Sequence, residues 1–299
     1  MTKIMKIAAI DIGSNSVRLA LTSDGKTLYK RLATTRLGEG LSYTGAMKEQ
    51  NLENTAQAVS NFVQTATNDG ADKLYAFATA AVRSASNRDR FLKRVKQLCG
   101  IEVEVLSGET EAKCGILGAL KGGDGGIIDV GGASTEVTVQ QGGNVHYSKS
   151  VNIGAVRLFD LAGRDINKLK KVISEKITDY DVPCHFDRSG EIFTLPMYAI
   201  GGTATTIASV KHALKVYDPA ITDGTVLTQK EVYATAEKLL SLTVEQVRNL
   251  DGMEPRRADI IGGGCLLLSC VMEKFGVTEI TVSESDNLEG FIMLKGGTL

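Results

Sequence analysis

The chain has no surplus of either charge. Its 299 residues include 34 lysines and arginines against 35 aspartates and glutamates, which gives a formal net charge of −1. Proteins that coat nucleic acid generally need a strongly basic surface. We therefore expect no nucleic-acid partner, and a polyanionic substrate would have to be met by a local group of basic residues.

Paired cysteines are also lacking. There are five cysteines, an odd number, and none of them lies in a C-x-x-C pair. The adjacent Cys184 and His185 are the one hint of a zinc site, and it is a weak signal. Reduced, mostly buried thiols in a cytoplasmic protein are the favoured interpretation.

Long hydrophobic runs are absent too. The first residues, MTKIMKIAAIDIG, contain a short apolar run that Asp11 interrupts at once, which is not typical of a signal peptide. No uninterrupted apolar stretch is long enough to span a bilayer. Because hydrophobic residues make up 43% of the chain, one large or two ordinary domains can form a sizeable core. These features predict a soluble, cytoplasmic protein without a membrane partner.

An internal repeat organises the sequence. The segment IDIGSNSVRL at 10–19 aligns with IDVGGASTEV at 128–137, with a constant offset of 118 residues. The same offset aligns Gly25 with Gly143 and Tyr29 with Tyr147. Each copy has the pattern of three strands joined by turns and followed by helices, which predicts two similarly built halves. Chance similarity between two glycine-rich turns is the alternative.

The predicted fold class is α/β, with two duplicated βββαβαβα domains that face each other across an interdomain cleft. The glycine-rich segment 121–126 is the most linker-like part of the chain. We therefore place the domains at 1–123 and 124–299. The C-terminal helix near 286–299 could pack back on the first domain.

Several element boundaries are predicted from periodicity and capping. Apolar residues at helical spacing predict one long helix over 44–67 and another over 256–275. Asn87 is expected to cap a helix over 87–98. Residues 180–196 have no regular pattern and are predicted to be irregular.

Three glycine turns with neighbouring hydroxyls point to phosphate binding. Two of them follow the repeated strands, and the third, GGTATT at 201–206, opens a helix, whose N-terminus favours phosphate oxygens. Glycine lets backbone amides approach an anion, and arginine can bind phosphate through two nitrogens. The candidate phosphate or substrate ligands are Asp11, Gly13, Ser14, Ser16, Arg18, Arg83, Gly131, Gly132, Ser134, Thr135, Gly202 and Thr203.

Two acids in the second copy of the repeat suggest a metal site. Asp129 and Glu136 could hold Mg²⁺, a hard ion that carboxylates and phosphates share. Arg18 in the first copy corresponds to Glu136 in the second. One copy would therefore donate to a phosphate, whereas the other would carry the acid that holds a metal or a water.

Each of these features has an ordinary structural interpretation. A lone Asp-x-Gly is usually only a turn, and a GGT before a helix is often a simple cap. Arg83 and Glu111, taken alone, are more often solvated than catalytic. What favours phosphate chemistry is the presence of three such turns in one chain, two of them related by the repeat.

Six segments resemble a known family. They are AIDIGSNSVRLAL at 9–21, ATAAVRSASNRDRF at 78–91, LSGETEAKCGILGAL at 106–120, IIDVGGASTE at 127–136, AIGGTATTIAS at 199–209 and MEPRRADIIGGGCLLL at 253–268. In this order they resemble the exopolyphosphatase/guanosine pentaphosphate phosphatase family, part of the actin/Hsp70/sugar-kinase (ribonuclease H-like) fold group. The family architecture has two βββαβαβα domains with the site between them.

The resemblance implies an exophosphatase that uses Mg²⁺, with Mn²⁺ as a possible substitute. Its substrate would be the terminal phosphate of inorganic polyphosphate or the 5′ γ-phosphate of guanosine pentaphosphate (pppGpp). The glutamate that serves the family as general base falls on Glu111, and its metal-binding and catalytic acids fall on Asp129 and Glu136. Ser14 and Asn15 match its GSNS turn, and Arg83 matches its ATxAxR arginine.

The chain departs from the family pattern at two places. Ala133 replaces the third glycine of D-x-G-G-G-S, which is harmless only if its φ stays negative. Near the C-terminus, DNLEG at 286–290 lacks the arginine of the expected glycine–leucine–arginine–glutamate–glycine. The chain also stops where longer relatives continue into further helical domains, which favours a short or nucleotide substrate.

Two other functions stay open from the sequence. One is an ATPase or kinase of the same fold group, and the Glu111 motif argues against it. The other is a catalytically weak sensor that binds polyphosphate or an alarmone, a reading that Ala133 keeps open. We also expect a homodimer, because short relatives often pair.

Overall fold

The computed structural model describes residues 5–181 and 195–296. By their contacts these residues divide into two units. Unit 1 spans Met1–Lys121 together with Ser285–Leu299, and unit 2 spans Gly122–Glu284. The predicted site residues Cys184 and His185 of a possible zinc centre lie outside the described residues.

Unit 1 is built on a mixed sheet of five strands in the order β3-β2-β1-β4-β5. The first three strands are antiparallel, and β4 and β5 run parallel to β1. Its elements before the boundary are β1 (Lys6–Ile12), β2 (Ser16–Ser23), β3 (Lys26–Thr34), α1 (Leu41–Thr44), α2 (Glu49–Asn68), β4 (Lys73–Ala78), α3 (Ala80–Ser84), α4 (Arg88–Cys99), β5 (Val103–Val105) and α5 (Gly108–Leu120).

Unit 2 contains a sheet of six strands in the order β10-β11-β9-β6-β7-β8. Its described elements are β6 (Gly125–Val130), β7 (Thr135–Gln141), β8 (Asn144–Val151), α6 (Ala155–Ala162), α7 (Ile166–Lys176), β9 (Met197–Ile200), α8 (Gly201–Lys211), α9 (Pro219–Thr222), β10 (Val226–Thr228), α10 (Gln229–Ser241), α11 (Val244–Arg248), α12 (Ile261–Lys274) and β11 (Glu279–Val282). The last helix, α13 (Asn287–Leu294), belongs to unit 1.

The two units repeat one topology, which confirms the predicted α/β class with two βββαβαβα halves. The order β8-β7-β6-β9-β11 in unit 2 matches β3-β2-β1-β4-β5 in unit 1, and β10 is added at the far edge. The antiparallel pairing also slips at equivalent places, between Leu21 and Thr22 in β2 and between Val139 and Gln140 in β7. These positions are separated by the offset that aligned the two sequences.

The strand patterns follow from the position of each strand in its sheet. β1 lies between two neighbours and is covered on both faces, so its sequence KIAAIDI is almost continuously apolar. β3 is an edge strand, and its two lysines and one arginine are exposed. Charged residues on an edge strand discourage pairing with another chain.

The C-terminal helix α13 packs against α5 and β1 within unit 1. Phe291 of α13 stacks on Phe77 of β4 with ring centroids 4.4 Å apart. Two glycines allow α13 and α5 to approach closely. A Cβ at Gly290 would lie 1.7 Å from the Cys114 carbonyl oxygen, and one at Gly118 would lie 2.0 Å from the Asp286 carbonyl oxygen. The helix contact therefore depends on the absence of these side chains.

Gly290→Ala should destabilise the protein by about 3 kcal/mol, because the methyl group overlaps backbone that cannot move without separating the helices. Gly263→Ala in α12 is the matched control, since its Cβ would meet Leu169 at an ordinary 3.4 Å. The control should be neutral or stabilising by about 0.5–1 kcal/mol through helix propensity. Urea unfolding measures both, and equal stability of the two variants would contradict the close packing.

Three predicted elements differ from the structure. The helix predicted over 44–67 begins only at Glu49, because Thr44 is the end of the short helix α1 and Gly45 adopts a φ of 67° after it. The helix over 256–275 begins only at Ile261, after a 3₁₀ turn at Pro255–Arg257. Asn87 does not cap α4 with its side chain, which instead bonds the backbone of Met47 as donor and acceptor, both at 2.9 Å.

None of the helices in the described part of the chain is both long and apolar enough to cross a bilayer.

Candidate active site

The first repeated turn lies between β1 and β2 in unit 1. The Gly13 amide donates to the Ser16 carbonyl oxygen at 3.0 Å and closes the turn. A role for Gly13 itself in binding phosphate stays a prediction. Among the described residues, no acceptor faces the backbone amides of Ser14 and Asn15. Successive amides in such a turn form a cavity suited to an anion.

The side chain of Asn15 strengthens this interpretation. The residue is buried, and within the described chain neither Oδ1 nor Nδ2 has a hydrogen-bond partner. Oδ1 of Asp11 is also buried and has no hydrogen-bond partner among the described residues. Buried polar atoms are nearly always paired in proteins, so orphaned ones at a turn indicate a ligand or water that completes them. The predicted residues Ser14 and Ser16 are buried in the same turn.

The second repeated turn, between β6 and β7 in unit 2, has the same closure. The Gly131 amide donates to the Ser134 carbonyl oxygen at 3.0 Å. The Gly132 carbonyl accepts from two amides at the start of α6, so this turn also anchors a helix. Ala133 is not among the described residues with positive φ. Its methyl group therefore causes no backbone strain, and the departure from glycine does not disrupt the turn.

The third glycine turn starts α8 directly after β9. Gly201 has a φ of 78°, and a Cβ there would lie 2.6 Å from Oδ1 of Asp129. The guanidinium of Arg257 rests on Gly202, where a Cβ would lie 2.1 Å from both Nη1 and Nη2. From the sequence, Arg257 was only part of the helix predicted over 256–275. Its partner is 55 positions away along the chain, so local pattern could not reveal the contact.

Gly202→Ala should displace the Arg257 guanidinium while the fold is retained, because the clash is with the end of a flexible side chain. We expect phosphate affinity, measured by calorimetry, to fall about ten-fold, as for the loss of one charge-assisted hydrogen bond. Arg257→Met should reproduce the loss. Arg248→Met is the control, since that exposed arginine bonds Glu245 on the surface. An equal loss of phosphate affinity in Arg248→Met would contradict the expectation that Arg257 contacts phosphate.

The hydroxyls of two predicted ligands have structural partners. Thr135 Oγ1 donates to the Ile153 carbonyl at 2.6 Å, and Thr203 Oγ1 donates to the Val130 carbonyl at 2.8 Å. Both residues are buried. Their hydroxyl protons hold the turns in shape, and a direct contact of either with phosphate stays a prediction.

Glu111 lies in the first turn of α5, which Ser107 caps by accepting from the Thr110 amide at 3.1 Å. Arg83 Nη1 donates to Glu111 Oε2 at 2.9 Å and to the Leu106 carbonyl at 2.7 Å. The Thr79 side chain also acts to lower the pKa of Glu111. The structure thus brings together two residues that the sequence predicted separately, and Arg83 orients the carboxylate.

Burial raises the pKa of Glu111 above its usual value, and the bonds from Arg83 and Thr79 oppose the rise without cancelling it. The negative charge of Asp11 adds to the rise. A carboxylate with a raised pKa holds a proton more strongly, which suits a general base near neutral pH.

The direction in which Arg83 shifts the pKa of Glu111 can be tested. Arg83→Met removes the cation that lowers the pKa of Glu111, so the pKa should rise further. Carboxyl NMR titration of the wild type and the variant measures the change. Arg88→Met, which removes an exposed arginine at the start of α4, should leave the Glu111 titration unchanged. A fall of the pKa in Arg83→Met would contradict the geometry.

Asp129 and Glu136 face each other across β6 and β7, as directly paired residues of the antiparallel ladder. Ser150 Oγ donates to Glu136 Oε1 at 2.6 Å, and both acids are buried. Among the described residues, no group of three or more histidines, cysteines, aspartates and glutamates could enclose a metal. Mg²⁺ commonly uses one or two carboxylates and completes its shell with water and phosphate oxygens. Two neighbouring carboxylates fit that requirement.

Arg18 lies directly opposite Asp11 in the β1–β2 ladder. Its Nε donates to Asp11 Oδ2 at 3.1 Å, its Nη2 donates to the same oxygen, and its Nη1 donates to Asp286 Oδ2. Burial raises the pKa of Asp11, while the charge of Arg18 works against the rise. The sequence predicted Arg18 as a phosphate contact but not its pairing with Asp286.

The chain is similar to known phosphatases over most of its length. The model of the Ppx/GppA phosphatase family matches residues 20–295. Exopolyphosphatase 2 of Mycobacterium tuberculosis is 27% identical, with 98% of this chain and 99% of that protein covered. The bifunctional 3-dehydroquinate synthase/phosphatase of Fusobacterium nucleatum is 29% identical over 96% of this chain. The guanosine-5′-triphosphate,3′-diphosphate pyrophosphatase of Photobacterium profundum is 23% identical over 95% of it. The chain spans 46% and 58% of these last two proteins.

Solved structures are also similar to this chain over nearly its whole length. The Aquifex aeolicus member of the Ppx/GppA protein family superposes with a TM-score of 0.77 and 28% identity, covering 99% of this chain and 100% of that one. A crystal structure described as an exopolyphosphatase-like protein has a TM-score of 0.85 and 25% identity, with 98% and 99% covered.

Proposed function

The chain belongs to the Ppx/GppA phosphatase family, and on that premise we propose that it is an exophosphatase. It is a phosphoanhydride hydrolase by family, and its relatives carry the names exopolyphosphatase and guanosine-5′-triphosphate,3′-diphosphate pyrophosphatase. The proposed substrates are the terminal phosphate of inorganic polyphosphate and the 5′ γ-phosphate of pppGpp. A cytoplasmic location and a homodimer stay predictions.

The observation that carries the proposal is the environment of Glu111. Its buried carboxylate is oriented by Arg83, and burial raises its pKa. In the proposed reaction Glu111 takes a proton from a water molecule. The water oxygen bonds to the terminal phosphorus in line with the bridging P–O bond. That bond breaks, and the bridging oxygen leaves with the bonding electron pair as part of the shortened chain. Phosphoryl transfer of this kind depends on positioning and on neutralised charge.

The remaining residues bind and neutralise the phosphate. The backbone amides of Ser14 and Asn15, together with Nδ2 of the unsatisfied Asn15 side chain, would donate hydrogen bonds to its oxygens. Arg18 in unit 1, and Arg257 beside the glycine turn of unit 2, would each supply positive charge to a phosphate bound in its own unit. In unit 2 Asp129 and Glu136 would hold Mg²⁺. When bound, that ion would withdraw charge from the phosphate oxygens and lower the barrier to attack.

A substrate panel tests the proposal. Phosphate release should be measured side by side from polyphosphate of several chain lengths, from pppGpp and from ATP. The proposal expects turnover of polyphosphate, pppGpp or both. Turnover of ATP alone would instead support an ATPase or kinase of the same fold group. Tight binding of polyphosphate or pppGpp without turnover would indicate a sensor.

A further inference from the structure

The Arg18 guanidinium is held by two carboxylates from different parts of unit 1. Asp11 comes from the neighbouring strand, and Asp286 comes from the residue that caps α13. Both aspartate side chains are 6% exposed, whereas the Arg18 side chain is 20% exposed. The arginine is therefore the most accessible member of this three-residue cluster.

The two carboxylates make different contributions. Asp11 receives Nε and Nη2 of Arg18 on one oxygen and stands directly opposite it in the strand ladder, so it holds the guanidinium through two nitrogens. Asp286 accepts from the third nitrogen, Nη1. The contact from Asp286 thus adds a second negative charge to an arginine that is already in place.

Asp286 keeps its charge in this setting. Burial works to raise its pKa, but the positive charges of Arg18 and Lys30 outweigh burial and hold the pKa below its usual value. An ionised carboxylate on a guanidinium resembles a phosphate oxygen in charge and in hydrogen bonding. One ionised carboxylate compensates the charge of Arg18, so the negative charge of Asp286 opposes the approach of an anion to the same guanidinium.

We infer that Asp286 acts through Arg18 as an internal competitor for phosphate: it occupies Nη1 with a carboxylate that a phosphate oxygen has to displace. The inference rests on the proposed role of Arg18 as a phosphate contact. Asp286 would weaken the hold of the protein on substrate and on released phosphate alike. Faster release of the product is the consequence for a hydrolase that acts repeatedly.

Asp286 can be replaced by residues that still cap α13, which is its second role. Its Oδ1 accepts from the Leu288 amide at 3.0 Å and caps α13, whereas Oδ2 meets Arg18. Asp286→Asn and Asp286→Ser both keep a cap, and both remove the charge from Arg18. Glu104→Gln is the matched control. Glu104 bonds Lys295 just after the same helix at 2.6 Å, so this variant makes the same change in net charge away from Arg18.

The experiment measures binding of orthophosphate by titration calorimetry at fixed salt, which needs no catalysis. Asp286→Asn and Asp286→Ser should bind orthophosphate about ten-fold more tightly, as expected for removal of one charge-assisted competitor. Glu104→Gln should bind like the wild type. The gain should disappear when Arg18→Met is added to Asp286→Asn. If that double variant does not fold in thermal unfolding, Arg18→Lys with Asp286→Asn makes the comparison, and the gain should shrink.

Unchanged or weaker orthophosphate binding in the folded Asp286 variants would overturn the inference. A gain that persists without Arg18 would overturn it as well, because the effect would not pass through the guanidinium. If no variant binds orthophosphate, the inference falls, yet phosphate release in the substrate panel would leave the proposed function standing. Tighter binding without any hydrolysis would support the inference while the proposed function failed.

Discussion

Replacing Glu111 by glutamine is expected to lower the rate of phosphate release by about a hundred- to ten-thousand-fold, the range typical of a lost general base. Glutamine has nearly the same shape and can still accept from Arg83, so the site should stay assembled. It cannot take a proton from water. Substrate binding should therefore survive, and the loss should appear in kcat rather than in KM.

The matched control is Glu109→Gln. Glu109 lies two residues earlier in the first turn of α5 and is exposed. The control removes the same charge from the same helix turn, but it leaves the buried carboxylate and its partners intact. If Glu111→Gln kept near-normal turnover, or if Glu109→Gln lost as much, the assignment of the base would be wrong.

The second large effect concerns the metal. Hydrolysis should stop when divalent ions are chelated and return with Mg²⁺ or, less specifically, with Mn²⁺. Asp129→Asn should reduce activity at saturating Mg²⁺ by about a thousand-fold, because a bound metal supplies several kcal/mol of transition-state stabilisation. Ser150→Ala should lower the same activity by about ten-fold, since it removes only the hydroxyl that orients Glu136.

A control and a second readout separate metal binding from folding. Asp124→Asn makes the same charge change in the same unit, and its side chain can still accept from the Gly142 amide, a contact of 2.8 Å. It should bind metal and hydrolyse substrate normally. Electron paramagnetic resonance of Mn²⁺ reports binding directly, and Asp129→Asn should weaken it. Full activity in chelator would contradict the metal site.

Features that depend on short-range pattern were predictable from the sequence. The two halves were visible because a duplicated strand-turn-strand unit keeps its spacing, and the structure repeats even the position of the strand irregularity. The start of α5 at Ser107 follows from the local chemistry of a cap.

Contacts between distant segments were not predictable in this way. Arg257 on Gly202 and Asp286 on Arg18 join residues far apart in sequence, and nothing in the local pattern of either residue marks its partner. Asn87 illustrates the same limit. Its residue type suits a helix cap, but tertiary structure offers it both backbone groups of Met47 instead.

Isotope labelling tests the central claim most directly. A single turnover of polyphosphate or pppGpp in H₂¹⁸O with Mg²⁺ should place one ¹⁸O atom in the released orthophosphate and none in the shortened product, measured by mass spectrometry. That result is required if a water activated by Glu111 attacks the terminal phosphorus. Label in the shortened product, or orthophosphate released without label, would contradict the account.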